Sequence, residues 1–310
     1  MKLIQTSKGI WQLIKDTFKG FFKDDPMSYS ASIAFYTIFS LPAILIVVLA
    51  IAGSIYGEKA VTGELYYQIQ YLMGHNTAVE LQRIIQNATI SDAGTIATII
   101  AIGTLLFSAT TVFVSVQNGL NKIWGVRAKP KKNWVKFIID RLLSFTLVAF
   151  FGLLMIFSLV LDALVGLFND ILLKYLSEFA VYLTWILNFS ISTIFTTIIF
   201  AMIFKLLPDA VIRWREVWVG AFITTLLFIL GRVLINFYLA NSDFGDTYGA
   251  AGSLVAILMW VYYSSVILLL GAQFTQVYAK QFGKIIVPTS NAVRIVEKEV
   301  HPTDPEALKD

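Results

Sequence analysis

The residue types on which most enzyme chemistry depends are scarce in this chain. It contains no cysteine and only two histidines, His75 and His301. The missing cysteines exclude a thiolate nucleophile, a disulfide framework and a cysteine-based zinc or iron–sulfur site. The sequence also has no Gly-x4-Gly-Lys-Ser/Thr phosphate loop and no Gly-x-Gly-x-x-Gly turn. We therefore expect no catalytic residues, no cofactor and no metal.

Polar side chains lie instead within long apolar stretches, most of them near the ends of those stretches. Amide, hydroxyl and charged groups at this density would line a cavity that faces the cytoplasm, or would hydrogen-bond neighbouring helices to one another. The sequence alone favours neither alternative. The residues are Tyr36, Ser40, Gln117, Asn118, Asn121, Asp140, Arg141 and Gln273.

Arg232 is the clearest ionisable residue inside an apolar stretch. It lies about 22 Å along that stretch at the helical rise of about 1.5 Å per residue. A charge at such depth costs a few kcal/mol unless it is paired or hydrated. Asp162, Asp243 and Asp246 are candidate partners. A charge in a hydrated cavity, a side chain that reaches the outer headgroups and a static ion pair are all open, and we favour the ion pair.

Proline and glycine mark two further candidate positions in a substrate path. Pro42 lies in the middle of the first apolar stretch, where it removes a helix hydrogen bond and predicts a kink. The last stretch begins with Tyr248, Gly249 and Gly252. Small residues at this point permit close helix packing or a bent entrance to the helix.

The elements that carry these residues are predicted to be transmembrane helices. Hydrophobic residues make up 57% of the 310 residues and charged residues 14%, and the mean hydropathy is +0.73. A soluble domain could not cover its surface with so few charges. About 20 apolar residues cross the hydrocarbon core as a helix. The composition therefore predicts an all-α integral membrane protein with six spans, at about 27–55, 94–117, 135–165, 179–206, 217–241 and 249–279.

The distribution of basic residues predicts the orientation of these spans. Nineteen of the 24 lysines and arginines lie before the first span, in or at the edges of the second-to-third and fourth-to-fifth connections, or in the tail. Only Lys59, Arg83 and Lys174 lie in connections on the opposite side. Basic residues concentrate on the cytoplasmic side of membrane proteins. Both termini are therefore predicted to be cytoplasmic, and the net charge of +4 does not indicate nucleic-acid binding.

Three segments outside the spans complete the predicted organisation. Residues 1–26 contain an amphipathic helix over 3–23, which either lies in the inner-leaflet interface or packs on the spans from below. The connection 57–93 is predicted to form a small external helical cap. Residues 27–283 form the membrane domain, and the tail 284–310 is expected to be cytoplasmic and loosely ordered.

Six sequence blocks are distinctive: 34–42 (AFYTIFSLP), 116–124 (VQNGLNKIW), 206–210 (LLPDA), 248–253 (YGAAGS), 260–263 (WVYY) and 271–274 (GAQF). These blocks resemble the YihY/BrkB family of bacterial inner-membrane proteins, whose members were once labelled ribonuclease BN. The resemblance implies six spans, cytoplasmic termini and a location in the inner membrane. The family commonly has Gly-Ala-Glu where this chain has Gln273, and an amide cannot carry a titrating proton.

These features favour transport or flipping of an amphipathic, lipid-like or envelope component, with membrane lipids as partners. The alternative is a non-catalytic scaffold or binding protein of the cell envelope. A ribonuclease is disfavoured, because no cytoplasmic segment carries an acid–base cluster or a metal-binding cluster. Neither the substrate nor the oligomeric state follows from the sequence.

Overall fold

Long helices dominate the protein. The computed structural model describes residues 2–56, 95–130, 177–240 and 252–296, most of 134–150, and isolated positions within 62–82 and 153–157. The described residues between 134 and 157 are all helical, and we call them the 134–157 segment. The complete helices are α1 Lys2–Lys23, α2 Pro26–Tyr56, α3 Thr95–Ile123, α4 Ser177–Leu206, α5 Trp214–Ala240 and α6 Gly252–Phe282.

Helices α2 to α6 confirm five of the predicted apolar stretches as helices, with boundaries that differ by a few residues. Within the described part of the chain, three helical stretches are long and apolar enough to cross a membrane: Ile186–Leu206, Trp214–Ile235 and Leu254–Phe282. The complete set of six spans stays a prediction. Most of the predicted cap and residues 297–310 lie outside the described residues.

The turn between α1 and α2 follows from two residues. Asp25 has a φ of 48°, a left-handed conformation that Asp tolerates better than most residues do. Pro26 is the first residue of α2, where its fixed φ suits the helix and its missing N–H costs nothing. The chain therefore passes from α1 to α2 within a few residues.

The helices pack as a bundle in which α6 contacts α1, α2, α3 and α5, while α2 packs on α3 and α4 on α5. The large side chains Leu120, Phe204 and Leu269 are completely buried in its core. The indole Nε1 of Trp124 donates a hydrogen bond of 3.1 Å to the carbonyl oxygen of Ala272. This bond fixes the end of α3 against α6.

Helices α5 and α6 approach each other closely through a reciprocal pair of glycine–threonine contacts. A Cβ atom on Gly220 would lie 2.8 Å from the Cβ of Thr275, and one on Gly271 would lie 2.8 Å from the Cβ of Thr224. The two threonine hydroxyls donate 2.7 Å hydrogen bonds to the carbonyl oxygens of Gly220 and Gly271 in their own helices. The threonine of each helix thus packs on the glycine of the other.

The prediction of a loosely ordered tail is wrong for residues 287–294, which contain two short strands. These are β3, Val287–Pro288, and β4, Ala292–Arg294. β4 pairs antiparallel with β1, Val126–Ala128, and β3 pairs antiparallel with β2, Ala210–Val211. The tail therefore binds the connections that follow α3 and α4 at one end of the bundle, in agreement with their predicted location on one side.

Helix α1 uses its two faces differently. Leu13, Thr17 and Phe21 are buried, and α1 packs on α6. Gln281 of α6 donates a 3.1 Å hydrogen bond to Asp16. The opposite face presents Trp11, Ile14, Phe18 and Phe22, all exposed. Helix α1 thus packs on the bundle through one face, and contact of its exposed face with lipid stays a prediction.

Candidate functional site

Asp209 connects three parts of the chain at the end of the bundle where the tail pairs with the connections. It follows Pro208, which cannot continue helix α4. One carboxylate oxygen, Oδ2, accepts hydrogen bonds from Asn121 Nδ2 at 2.8 Å and from Gln117 Nε2 at 3.2 Å. The backbone N–H of Asp209 donates to Asn121 Oδ1 at 2.8 Å. Its carbonyl oxygen accepts from the N–H of Thr289 at 3.0 Å.

Lys136 joins Asp209 to a second carboxylate. Its ammonium Nζ lies 2.7 Å from Asp209 Oδ1 and 2.9 Å from Asp140 Oδ1. Lys136 and Asp140 are four residues apart in the 134–157 segment, the spacing at which opposite charges meet on a helix. The three side chains are 13–21% exposed, so water screens their attraction only in part.

These charges line a cavity of about 500 Å³. Its lining combines charged and polar residues with apolar ones. Among the described lining residues, two carboxylates and one ammonium give a formal charge of −1. The lining residues are Gln117, Pro130, Val135, Lys136, Ile139, Asp140, Leu143, Leu206, Leu207, Pro208, Asp209, Thr289 and Asn291.

Three of the residues selected from the sequence meet at this cavity or beside it: Gln117, Asn121 and Asp140. Sequence reasoning missed Lys136 and Asp209 as members of the site. Lys136 was counted only as a topological charge, although its spacing from Asp140 was visible. Asp209 lies in a block that resembles the YihY/BrkB family, but no periodic pattern in the sequence indicates its contact with α3.

Arg141 and Asn118 do not line the cavity. Arg141 Nη1 donates to the carbonyl oxygen of Phe107 at 3.0 Å and to the hydroxyls of Thr110 and Thr111. Its guanidinium lies 4.0 Å from the centre of the Phe107 ring. Arg141 therefore holds the 134–157 segment against α3. The side chain of Asn118 is exposed.

Gln273 lies at a different place, in the contact between α1 and α6. It is buried, at 3% exposure, and its amide donates to Gln276 at 3.2 Å. Its side chain occupies the space that Gly20 of α1 leaves free. Its oxygen has no hydrogen-bond partner among the described residues.

The remaining candidates are distributed along the helices. In α2, Tyr36 is exposed and Ser40 is buried, its hydroxyl bonded to the carbonyl oxygen of Tyr36 at 2.6 Å. Helix α2 continues through position 42, and the kink predicted at Pro42 is untested. Gly252 is buried at the start of α6, and Arg232 is half-buried in α5.

Several sequence predictions fall on residues that the structure does not describe. Tyr248 and Gly249 lie outside the described residues. So do Asp162, Asp243 and Asp246. The ion pair predicted for Arg232 with one of these carboxylates therefore stays a prediction.

Comparison with known proteins agrees with the blocks found in the sequence. A family model described as "Virulence factor BrkB" matches residues 17–295. The chain belongs to the BrkB family. The predicted family relationship is thereby confirmed, and Lys136 and Asp209 both lie within the matched region.

Curated relatives of this BrkB-family chain are described mostly as membrane proteins. A "Putative ribonuclease-like protein YfkH" from Bacillus subtilis is 24% identical over 86% of this chain and 95% of its own length. A UPF0761 membrane protein from Glaesserella parasuis is 27% identical over 58% of this chain and 61% of its own length. One from Chlorobium chlorochromatii is 26% identical over 79% of this chain.

The chain thus spans nearly all of the first relative but just over half, 54%, of the Chlorobium protein. No solved structure matches it. The family, the long apolar helices and these relatives together identify a membrane protein.

Proposed function

We propose that this BrkB-family protein moves an amphipathic, lipid-like component of the cell envelope across the bacterial inner membrane. In this proposal both termini and the tail sheets are cytoplasmic. The substrate enters the cavity between the 134–157 segment and the connection after α4. Membrane lipids are its partners, and nucleic acid is not.

The cavity lining is the observation that supports this proposal. Lys136, Asp140 and Asp209 are charged lining residues, while Ile139 and Leu206 are among the apolar residues that line the same space. A ligand with a polar headgroup and an apolar chain matches such a lining, since each part finds residues of its own kind. A small inorganic ion would leave the apolar lining residues without a partner.

A lipid-movement assay tests the proposal. The purified protein is reconstituted into vesicles of bacterial polar lipids that carry a trace of phospholipid with a fluorophore on its acyl chain. A membrane-impermeant reductant then bleaches the outer leaflet. We expect the protein to make inner-leaflet fluorescence accessible, whereas protein-free vesicles retain it.

Two neighbouring isoleucines provide a matched pair of variants. Ile139 is 51% exposed and lines the cavity, whereas Ile138 is 46% exposed and does not line it. Ile139→Trp should narrow the cavity and slow lipid movement, while Ile138→Trp should leave it unchanged, with equal thermal stability for both. Lipid movement that is absent, or equally fast in both variants, would refute the proposed function.

A scaffold role is the second candidate, and the bonding of Asp209 favours it. Its carboxylate oxygens, N–H and carbonyl oxygen all have partners within the chain. Asp209 can therefore have a purely structural role, in which it holds α3, the 134–157 segment and the tail together and binds no ligand. A protein that moves no lipid but still supports envelope integrity, even as Ile139→Trp, would favour this role.

A further inference from the structure

The ammonium group of Lys136 lies at the cavity, between two carboxylates that also line it. Lys136 Nζ lies between Asp140 Oδ1 and Asp209 Oδ1, at 2.9 and 2.7 Å. These distances are those of charge-assisted hydrogen bonds from an ammonium to carboxylates. The two carboxylates are therefore spaced correctly to bind one ammonium jointly.

The Lys136 ammonium is attached by a chain that can move. Lysine has a flexible four-carbon stem, and its charge acts as a point with rotatable donors. Its side chain is 16% exposed and lines the cavity. The ammonium can therefore leave the carboxylates without a change in the backbone, and another ammonium can replace it.

The charge balance selects the sign of the ligand. Among the described lining residues, Asp140 and Asp209 carry two negative charges against the single positive charge of Lys136. An anionic headgroup would meet a net repulsion from these described residues, which include no second cation. A cationic group gains attraction from both carboxylates.

The geometry points to a primary ammonium on an amphipathic molecule as the group that this cavity recognises, with Lys136 as a tethered competitor that the ligand displaces. The inference rests on the proposed function in taking the cavity as the substrate site. The ligand ammonium donates to Asp140 and Asp209, and its alkyl part contacts the apolar lining residues. Lys136 then turns toward the cavity mouth.

Three probes with the same hexyl chain separate this inference from its alternatives: hexylammonium, hexyltrimethylammonium and hexyl phosphate. Binding of each to the purified full-length protein in detergent is measured by calorimetry. Hexylammonium should bind. Hexyltrimethylammonium has the same charge but no N–H donors, so its binding should be at least about tenfold weaker. Hexyl phosphate should not bind.

The decisive variant is Lys136→Gln. Removal of a tethered competitor should strengthen hexylammonium binding, by roughly tenfold on the scale of intramolecular competition. Loss of one acceptor in Asp140→Asn should weaken it, by about tenfold or more for a hydrogen bond to a charged group. Lys129→Gln, at an exposed position, controls for the lost surface charge and should bind as the unaltered protein does.

Three outcomes contradict the inference. Hexyl phosphate that binds, and loses its binding in Lys136→Gln, would make Lys136 an anion ligand. Equal binding of hexylammonium and hexyltrimethylammonium would exclude recognition of N–H donors. This comparison uses the unaltered protein, so it does not depend on the folding of any variant. Absence of hexylammonium binding would assign the cluster a structural role only. Amine binding without lipid movement would refute only the proposed function, and lipid movement without amine binding only this inference.

Discussion

Asp209 shows how a single side chain determines the local structure of several segments. Its carboxylate binds Lys136 from the 134–157 segment and Asn121 from α3, and its backbone carbonyl binds Thr289 from the tail. Asp209→Asn would remove the charge that Lys136 faces and place N–H donors beside Gln117. We expect the free energy of unfolding to fall by about 1.5–3 kcal/mol, the range for hydrogen bonds to charged groups.

Thermal unfolding of the purified protein in detergent measures this effect. Asp25→Asn is a matched control, because Asp25 is exposed and its φ of 48° suits asparagine as well. An Asp209→Asn protein that melts together with the control would show that the network around Asp209 contributes little to stability.

The sequence could predict some members of this network and not others. Gln117, Asn121 and Asp140 were recognisable because polar groups near the ends of apolar helices are conspicuous. Lys136 and Asp209 were not, since their role depends on how the connection after α4 folds back toward α3. Hydropathy contains no signal for such a contact between residues 73 positions apart.

At the scale of elements, the paired glycines of α5 and α6 set the distance between two helices. Gly271→Ala would bring a Cβ within 2.8 Å of the Cβ and Cγ2 of Thr224. The β-branched threonine has few rotamers with which to avoid this contact. Overpacking of this kind costs about 1–3 kcal/mol, so we expect a lower melting temperature for Gly271→Ala, and likewise for Gly220→Ala.

Gly103 of α3 supplies the control for the same substitution. A Cβ at this position would meet no atom within 4 Å. Gly103→Ala should be neutral or should stabilise the helix by up to about 1 kcal/mol. If all three alanine variants melted alike, the close approach of α5 and α6 would not determine stability.

The sequence predicted the long helices but not the short strands. The stretch predicted at 27–55 forms α2, Pro26–Tyr56, because most of its residues are apolar, none is charged, and a helix satisfies the backbone hydrogen bonds of such a segment internally. The tail strands have two and three residues, too short for any alternation to appear. Their formation depends on hydrogen bonds to β1 and β2, which are distant in sequence.

At the scale of the whole molecule, the predicted orientation has a direct test. The chain has no cysteine, so single cysteines can be introduced without background. Cysteines at positions 10, 130 and 300 should resist an impermeant thiol reagent in spheroplasts, while cysteines at 75 and 244 should react. Lysis should make the protected positions reactive. Labelling at 130 in intact spheroplasts would overturn the orientation.

The second prediction at this scale concerns RNA. Phosphodiester hydrolysis requires water held by a metal or a positioned acid–base pair. The charged side chains at the cavity are already bonded to one another. We expect purified protein to leave RNA intact in the presence of Mg²⁺ or Mn²⁺. Cleavage that Asp140→Asn or Asp209→Asn abolished would refute this expectation.

The strand pairing of the tail also has a consequence for the order in which the protein matures. Ribosomes synthesise the chain from the N-terminus, so β1 and β2 leave the ribosome before residues 287–294 do. Until then β1 and β2 have no strand partners, and the cavity has no wall at Thr289 and Asn291. In a nascent BrkB-family chain this wall of the cavity is therefore completed last, when the tail strands pair with β1 and β2.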